Sequence, residues 1–528
     1  MSPQFKNEPA LDFSVEANRR KFALALESVQ KHLEGGRYCA MPIISGAEIA
    51  TTRSVKSIDP SEVDCILGQV QFASPDHVDQ TLHVLSTEGR RWQLTPWQDR
   101  IAIIRKAASL ISQRRLELAA LIVREVGKPW READADVTEA IDFCNYYSAE
   151  AELAAHPREL MQIPGENNIY FYKPRGLAAV IAPWNFPLAI ACGMTVASLI
   201  CGNPTILKPA EQSSLVAFKF AHILLESGVP PYAFAFLPGY GEEIGAQLVS
   251  DPRVSLICFT GSKAVGLEIL KTSSQVLPNQ SLIKRAIVEL GGKNCIIVDE
   301  DADLDEAIKG VLYSAFGYSG QKCSACSRVV AVGAIYKPFL ERLREAASDI
   351  IIGKAKDPAT FVGPVIDSEA QQRINAVIER ADHECVLHYK TDSLPTGGCF
   401  VAPTIYRDVS LSSSIWKEEI FGPVLACRHA ASFDEALSVA NDSQYALTGG
   451  LYSRSPGNIR RAYSELEAGN IYINRGCTGA LVCRQPFGGY KLSGVGSKAG
   501  GPDYLLQFME PVVVTENTMR RGFAPDQV

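Results

Sequence analysis

From Leu177 onward the chain alternates short apolar runs with longer stretches of helical texture. Leu177–Ala182, Thr205–Leu207, Ala233–Leu237, Leu256–Phe259, Ala286–Leu290 and Cys295–Val298 are three to six residues long, and all but the last two are separated by segments long enough to be helices. Strands alternating with helices imply parallel βαβ units with helices over both sheet faces, hence an α/β architecture. The rhythm resumes at Arg328–Val332, Ile471–Ile473 and Val512–Val514, so two α/β layers are predicted. A helical preface comes first: Val15–Leu33, Pro96–Arg115, Leu116–Val126 and Asp134–Glu152 carry apolar residues at three- and four-residue steps. No internal repeat, low-complexity tract or Pro- or Ser-rich linker interrupts the chain, which predicts interlocked rather than beaded domains.

Composition narrows the partners. The 528 residues fit roughly two to four domains, with 52 Lys plus Arg against 59 Asp plus Glu and a net charge of −7. No segment concentrates Lys and Arg, which argues against a nucleic-acid partner. No apolar run approaches the length of a membrane span, and the N-terminus lacks the features of a signal or transit peptide, so a soluble, cytoplasmic protein without a membrane partner is expected. The 14 Cys are scattered from Cys39 to Cys483, which suits a reducing compartment.

A dinucleotide site is suggested without the usual fingerprint. Gly239-Tyr-Gly-Glu-Glu-Ile-Gly245 has one residue too many before its last glycine and is weak alone. Stronger is the strand–helix–strand order of Leu177–Ala182, an apolar segment from Leu188 to Cys201, and Pro204-Thr-Ile-Leu-Lys-Pro-Ala-Glu211. It sets Lys208 and Glu211 beyond a strand's carboxyl end, where open α/β sheets bind ligands and an acid can take ribose hydroxyls. Phe259-Thr-Gly-Ser262 ends another strand and opens a helix, where Gly261 admits close approach and Ser262 can donate to phosphate or simply cap the helix.

For chemistry, Gly317-Tyr-Ser-Gly-Gln-Lys-Cys-Ser324 places Cys323 after a glycine-bearing polar stretch, where a thiol is accessible. Cys323 and Cys326 also make a C-x-x-C pair. Zinc would need two more ligands, yet there is no second C-x-x-C and no His between His222 and His383, and a redox motif belongs near the start of a small βαβ domain. No metal site is expected.

Six segments in order, Pro183-Trp-Asn-Phe-Pro187, Leu207-Lys-Pro-Ala-Glu211, Phe259-Thr-Gly-Ser262, Glu289-Leu-Gly-Gly292, Gly320-Gln-Lys-Cys323 and Glu419-Ile-Phe-Gly-Pro423, give the chain a strong resemblance to the aldehyde dehydrogenase superfamily. The resemblance implies a thiolate at Cys323 attacking an aldehyde, an oxyanion held by Asn185 and the Cys323 backbone N–H, hydride loss to NAD, and hydrolysis of the thioester by water that Glu289 activates. Trp184, Lys208, Glu211, Gly261, Ser262, Glu419 and Phe421 match cofactor-contact positions, and the acid at Glu211 favours NAD over NADP. By the same resemblance the fold is a Rossmann-like NAD domain (1–159 and 179–290, with the N-terminal helical segment), an α/β catalytic domain (291–485) with a substrate-anchor loop (486–508), and a small β oligomerisation flap (160–178 and 509–528). Unpaired strand edges in that flap imply a homodimer or a dimer-based hexamer.

Residues 486–501 contain six glycines, against 40 in the whole chain, which suits a loop whose amides face an anion. The loop is similar to that of the group within the superfamily that oxidises L-glutamate γ-semialdehyde, the open form of Δ1-pyrroline-5-carboxylate, to L-glutamate in proline or arginine breakdown. That implies Gly500, Gly501 and Ser324 on the substrate carboxylate with Lys322 assisting, Glu139 on its ammonium, and Phe186, Tyr490 and Phe508 along its aliphatic chain. A proline dehydrogenase partner would then supply the substrate. Alternatives are another semialdehyde, such as succinate semialdehyde, or a non-catalytic protein of this fold.

Overall fold

The computed structural model describes residues 5–34 and 38–519. Its first large sheet has eight strands in the order Gly494–Val495, Arg285–Glu289, Leu256–Thr260, Ala178–Ile181, Thr205–Lys208, Phe234–Phe236, Ile43–Ile44 and Ala47–Glu48. The five from Arg285–Glu289 to Phe234–Phe236 are mutually parallel, and the three outer ones run antiparallel to their neighbours. The second has seven: Val386–Lys390, Thr404–Arg407, Val424–Ala430, Cys326–Val332, Asn294–Val298, Thr448–Tyr452 and Asn470–Ile473, parallel except at the Val386–Lys390 edge. Their central strands are continuous aliphatic runs because helices cover both faces and leave no solvated side.

The expected helices are present as Glu16–Glu34, Trp97–Gln113, Arg115–Val126 and Trp130–Ala154. Ala189–Ile200 is apolar on nearly every side and buried except at Ile190, which borders the cleft, as a helix with almost no solvent face must be. The preface is not purely helical, however. Ser54–Asp59 and Glu62–Gln71 form an antiparallel ribbon with Cys39–Ala40 added in parallel, and a bulge between Ser57 and Ile58 disturbs its alternation. A second ribbon pairs Glu166–Pro174 with Met509–Asn517 in unbroken antiparallel register. Its first strand ends at Pro174, and Ala178, which the expected flap contains, belongs to the eight-stranded sheet instead. Residues 520–528 of that expected flap lie outside the described residues.

One buried ion pair locks the long helix against the site. Lys128 Nζ lies 2.7 Å from Asp136 Oδ2 with both side chains fully buried. Asp136 Oδ1 accepts the Ala189 N–H at 2.7 Å, and the ammonium stands 3.5 Å over the Phe186 ring. Removing one partner leaves an uncompensated buried charge, so Lys128→Met is expected to lose about 3–5 kcal/mol of stability, read as a fall in the urea midpoint. Lys128→Met combined with Asp136→Leu is expected to recover most of that loss.

Candidate active site

The parallel strands of the first sheet deliver their carboxyl ends to one cleft of about 1180 Å³. Ile181 leads into Trp184 and Asn185, Lys208 ends the next strand with Glu211 just beyond it, and Thr260 leads into Gly261 and Ser262 on the floor. The second sheet closes the other side with Cys323, Glu419 and Phe421.

The cofactor side offers complementary surfaces. Lys208 Nζ donates to Glu211 Oε1 at 2.8 Å, which holds the half-exposed carboxylate upright at the rim. Ser262 caps the helix Lys263–Ser273 by accepting from Val265 N–H, while the other first-turn amides point outward at the end that attracts anions. Gly241 and Gly245 line the opposite wall: a Cβ at Gly241 would meet nothing within 4 Å, and one at Gly245 only Lys208 Cδ at 4.0 Å. That leaves a slot between helices fit for a flat ring. Glu419 Oε1 accepts the Gly292 N–H at 2.9 Å, and a side chain at Gly291 would overlap the Glu419 carboxylate. Phe421, in the left-handed region at φ 55°, packs edge-on against Trp184 with centroids 5.5 Å apart.

Cys323 rides on a turn that its surroundings over-determine. Tyr318, Ser319 and Gly320 are consecutively left-handed at φ 52°, 57° and 68°, and such non-glycine residues cost about 1–3 kcal/mol each. They are held by Tyr318 Oη donating to Val126 O at 3.0 Å and Ser319 Oγ donating to Gly363 O at 2.7 Å. Asn185 Nδ2 donates to Gln321 O at 3.0 Å, and a carboxamide retains a second N–H for another acceptor. Asn294 Nδ2 donates to Cys323 O at 2.7 Å and Ala325 O at 2.8 Å. Cys326 is buried at the start of its strand, its thiol on Arg328 O at 3.3 Å. Among the described residues no group of three or more His, Cys, Asp or Glu is placed to hold a metal ion.

A profile of the aldehyde dehydrogenase family matches residues 48–514. This chain belongs to the aldehyde dehydrogenase family. It is 44% identical over 517 residues to the 1-pyrroline-5-carboxylate dehydrogenase of Geobacillus sp. (strain WCH70), covering 98% of this chain and 100% of that one. Among solved structures, 1-pyrroline-5-carboxylate dehydrogenase from Thermus with bound NAD superposes with a TM-score of 0.95 at 43% identity, over 98% of this chain and 99% of that one. Proline utilization A from Bdellovibrio bacteriovorus, inactivated by N-propargylglycine, superposes with a TM-score of 0.96 at 48% identity. The match covers 99% of this chain but 54% of that longer one, so the chain spans about half its length.

Burial and, after it, nearby carboxyl groups act on the aldehyde dehydrogenase thiol. Burial pushes Cys323 well above the usual thiol range, and Glu289, Glu419 and Glu139 push it further. Burial also raises Glu289 to about 7, against the opposing charge of Lys498. Glu139 rises to about 8 through burial and the nearby Asp136, Asp142 and Glu289, with Lys128 pulling the other way. Burial and these carboxyl groups together disfavour the thiolate in the resting site.

The substrate-side candidates sit in varied surroundings. Lys322 is engaged within the chain: its Nζ is 2.7 Å from Glu132 Oε1, which also accepts from the partly exposed Tyr313 Oη at 2.9 Å. The Gly500 N–H donates to Tyr147 Oη at 2.9 Å and the Gly501 N–H to Lys498 O at 3.1 Å, so neither amide is open to an anion in this conformation. Phe508 is completely buried, tilted against Tyr504 at 5.2 Å, and belongs to the core. Tyr490 is 44% exposed on a short strand, where it pairs with Ala446. Phe186 stands beside the cleft with the Lys128 ammonium on one ring face, and Ser324 is buried next to Cys323. Glu132 carried no sequence signal. Gly241 and Gly245 were visible as a glycine-rich run, though not as a wall.

In the free enzyme, iodoacetamide alkylation of Cys323 is expected to accelerate roughly tenfold per pH unit without levelling before pH about 9, since only the thiolate reacts. Peptide mapping should find Cys326 unmodified under the same conditions.

Proposed function

We propose that this aldehyde dehydrogenase oxidises L-glutamate γ-semialdehyde, in equilibrium with Δ1-pyrroline-5-carboxylate, to L-glutamate with NAD. The observation that carries this reading is a thiol, a catalytic-range carboxyl and a second, half-buried carboxyl in mutual electrostatic reach: Cys323, Glu289 and Glu139. The first two suit aldehyde oxidation. The third suits a substrate that carries a cation away from its reacting carbon. The names of the relatives and the NAD-bound Thermus structure support the same conclusion.

The cleft fits a dinucleotide. Glu211 would take ribose hydroxyls, the amides after Ser262 the pyrophosphate, Glu419 the second ribose, and Trp184 and Phe421 would confine the nicotinamide. When bound, NAD supplies the hydride acceptor. On the chain itself, the Cys323 thiol gives its proton to solvent and its sulfur bonds the aldehyde carbon as the carbonyl electron pair moves to oxygen. The oxyanion is held by the second Asn185 N–H and the Cys323 N–H. After oxidation Cys323 carries a thioester. Glu289 then takes a proton from water as its oxygen bonds to the acyl carbon, the C–S bond breaks, and the product carboxylate leaves. Substrate binding at Glu139 pairs its carboxylate with the ammonium. Engaging the carboxylate by Gly500 and Gly501 requires their amides to let go of Tyr147 and Lys498.

The eight-stranded unit serves as the NAD domain, the seven-stranded unit as the catalytic domain, and the ribbon Glu166–Pro174 with Met509–Asn517 as the contact of a homodimer or dimer-based hexamer. No helix among the described residues is long and apolar enough to cross a membrane. A cytoplasmic enzyme fed by a proline-oxidising partner fits the likeness to proline utilization A.

The test is NADH formation across aldehydes that differ in distal charge. Glutamate γ-semialdehyde is expected to exceed succinate semialdehyde and propionaldehyde in kcat/KM by about tenfold or more, and preference for succinate semialdehyde would overturn the assignment. Cys323→Ala should abolish turnover. Glu289→Gln should release one equivalent of NADH per site and then slow by about 10²–10⁴-fold. Because burial lifts Glu289 to about 7, its base form disappears as pH falls through that value, so kcat should drop toward tenfold per unit on the acid side.

A further inference from the structure

The glycine-rich loop does more than border the substrate. Tyr490–Lys491 pairs antiparallel with Tyr445–Ala446 on the catalytic side. Two residues further on, Gly494–Val495 pairs antiparallel with Val288–Glu289 and becomes the edge strand of the eight-stranded sheet. Leu290 N–H donates to Ser493 O at 2.8 Å, and Ala446 N–H donates to Ser493 Oγ at 3.0 Å. A side chain at Gly494 would strike the Val288 carbonyl, so this close pairing needs a glycine. The loop therefore laces the strand of Glu289 to the opposite side of the cleft.

Lys498 closes the lacing. Its ammonium donates to Gly469 O at 2.7 Å, to Asn470 Oδ1 at 3.1 Å and to Gly488 O. Asn470 in turn holds Pro486 O at 2.9 Å and accepts Gly488 N–H at 3.3 Å. One half-buried cation thus joins both limbs of the loop to the edge of the seven-stranded sheet. The groups around Glu289 are Lys498, Glu139, Cys323 and Tyr504, and Lys498 is the cation among them.

We propose that Lys498 is a positioning residue for the hydrolytic half of the reaction: it keeps the loop folded so that its edge strand holds Glu289 in place, and its charge favours the ionised carboxylate that accepts a proton from water. The inference rests on the function proposed above. It explains why the loop's amides are satisfied internally: the resting loop is built to hold Glu289, and substrate must compete for those amides.

Full-length Lys498→Met, Lys498→Gln and Lys498→Arg enzymes test it, using propionaldehyde, which lacks distal charges, beside glutamate γ-semialdehyde. In Met and Gln variants the acid-side midpoint of kcat is expected to rise by about one pH unit with both aldehydes. A stopped-flow NADH burst near one equivalent per site, larger than in wild type, should precede slower turnover, and Arg should restore both readouts. Gln keeps a donor without the charge, so it reports even where Met perturbs folding. A raised KM for the semialdehyde with unchanged midpoint and burst would reduce Lys498 to substrate anchoring and overturn the inference. Wild-type enzyme that forms no NADH from either aldehyde would instead overturn the proposed function.

Discussion

A single buried carboxamide sets where the chemistry can happen. Asn294, at the first position of a central strand, donates to Cys323 O and Ala325 O and accepts the Thr448 N–H at 2.9 Å through Oδ1. It thereby fixes the Cys323 turn against two neighbouring strands of the same sheet. A buried amide with three bonds made is rigid, and losing any one leaves a polar group stranded in a low-dielectric interior. Gly292 is part of this device: a Cβ there would lie 2.7 Å from both Asn294 Oδ1 and Cys323 O. The left-handed residues Tyr318 and Ser319 persist because this clamp, Val126 O and Gly363 O leave the turn no alternative.

Around that fixed sulfur the protein has gathered charged side chains, some matched in ion pairs and some not. Lys128 with Asp136 and Lys322 with Glu132 are matched at 2.7 Å each. Glu139, Glu289 and Glu419 have no cation so close, and burial raises all three. The division follows from burial: matched pairs hold the helix Trp130–Ala154 and the Cys323 turn in place, and unmatched carboxyls keep the freedom to exchange protons. The thiol shares that environment and stays protonated until something displaces the balance.

Much of this architecture was legible in the chain. Buried parallel strands need uninterrupted aliphatic runs, and those at Leu177–Ala182, Leu256–Phe259 and Cys295–Val298 appear where they were expected. The strand-end motifs gathered at the cleft because the carboxyl ends of parallel strands share one side. Less legible was anything decided by a distant partner. Lys322 resembles a ligand-binding cation until Glu132, far away in sequence, claims it. Phe508 and Tyr490 sit in the same loop region, yet packing sends one into the core and the other to the surface. The ribbon Ser54–Gln71 escaped notice because its bulge breaks the two-residue rhythm that announces a strand.

The lacing of residues 486–508 also has a consequence for biogenesis. Every other wall of the cleft is encoded upstream of it, yet the edge strand beside Glu289, the contact from Gly500 to Tyr147 and the pairing of Met509–Asn517 with Glu166–Pro174 all arrive afterwards. A ribosome-bound chain that has already folded its sheets still presents an open, unbraced pocket. The competent enzyme can therefore form only once translation has passed this segment.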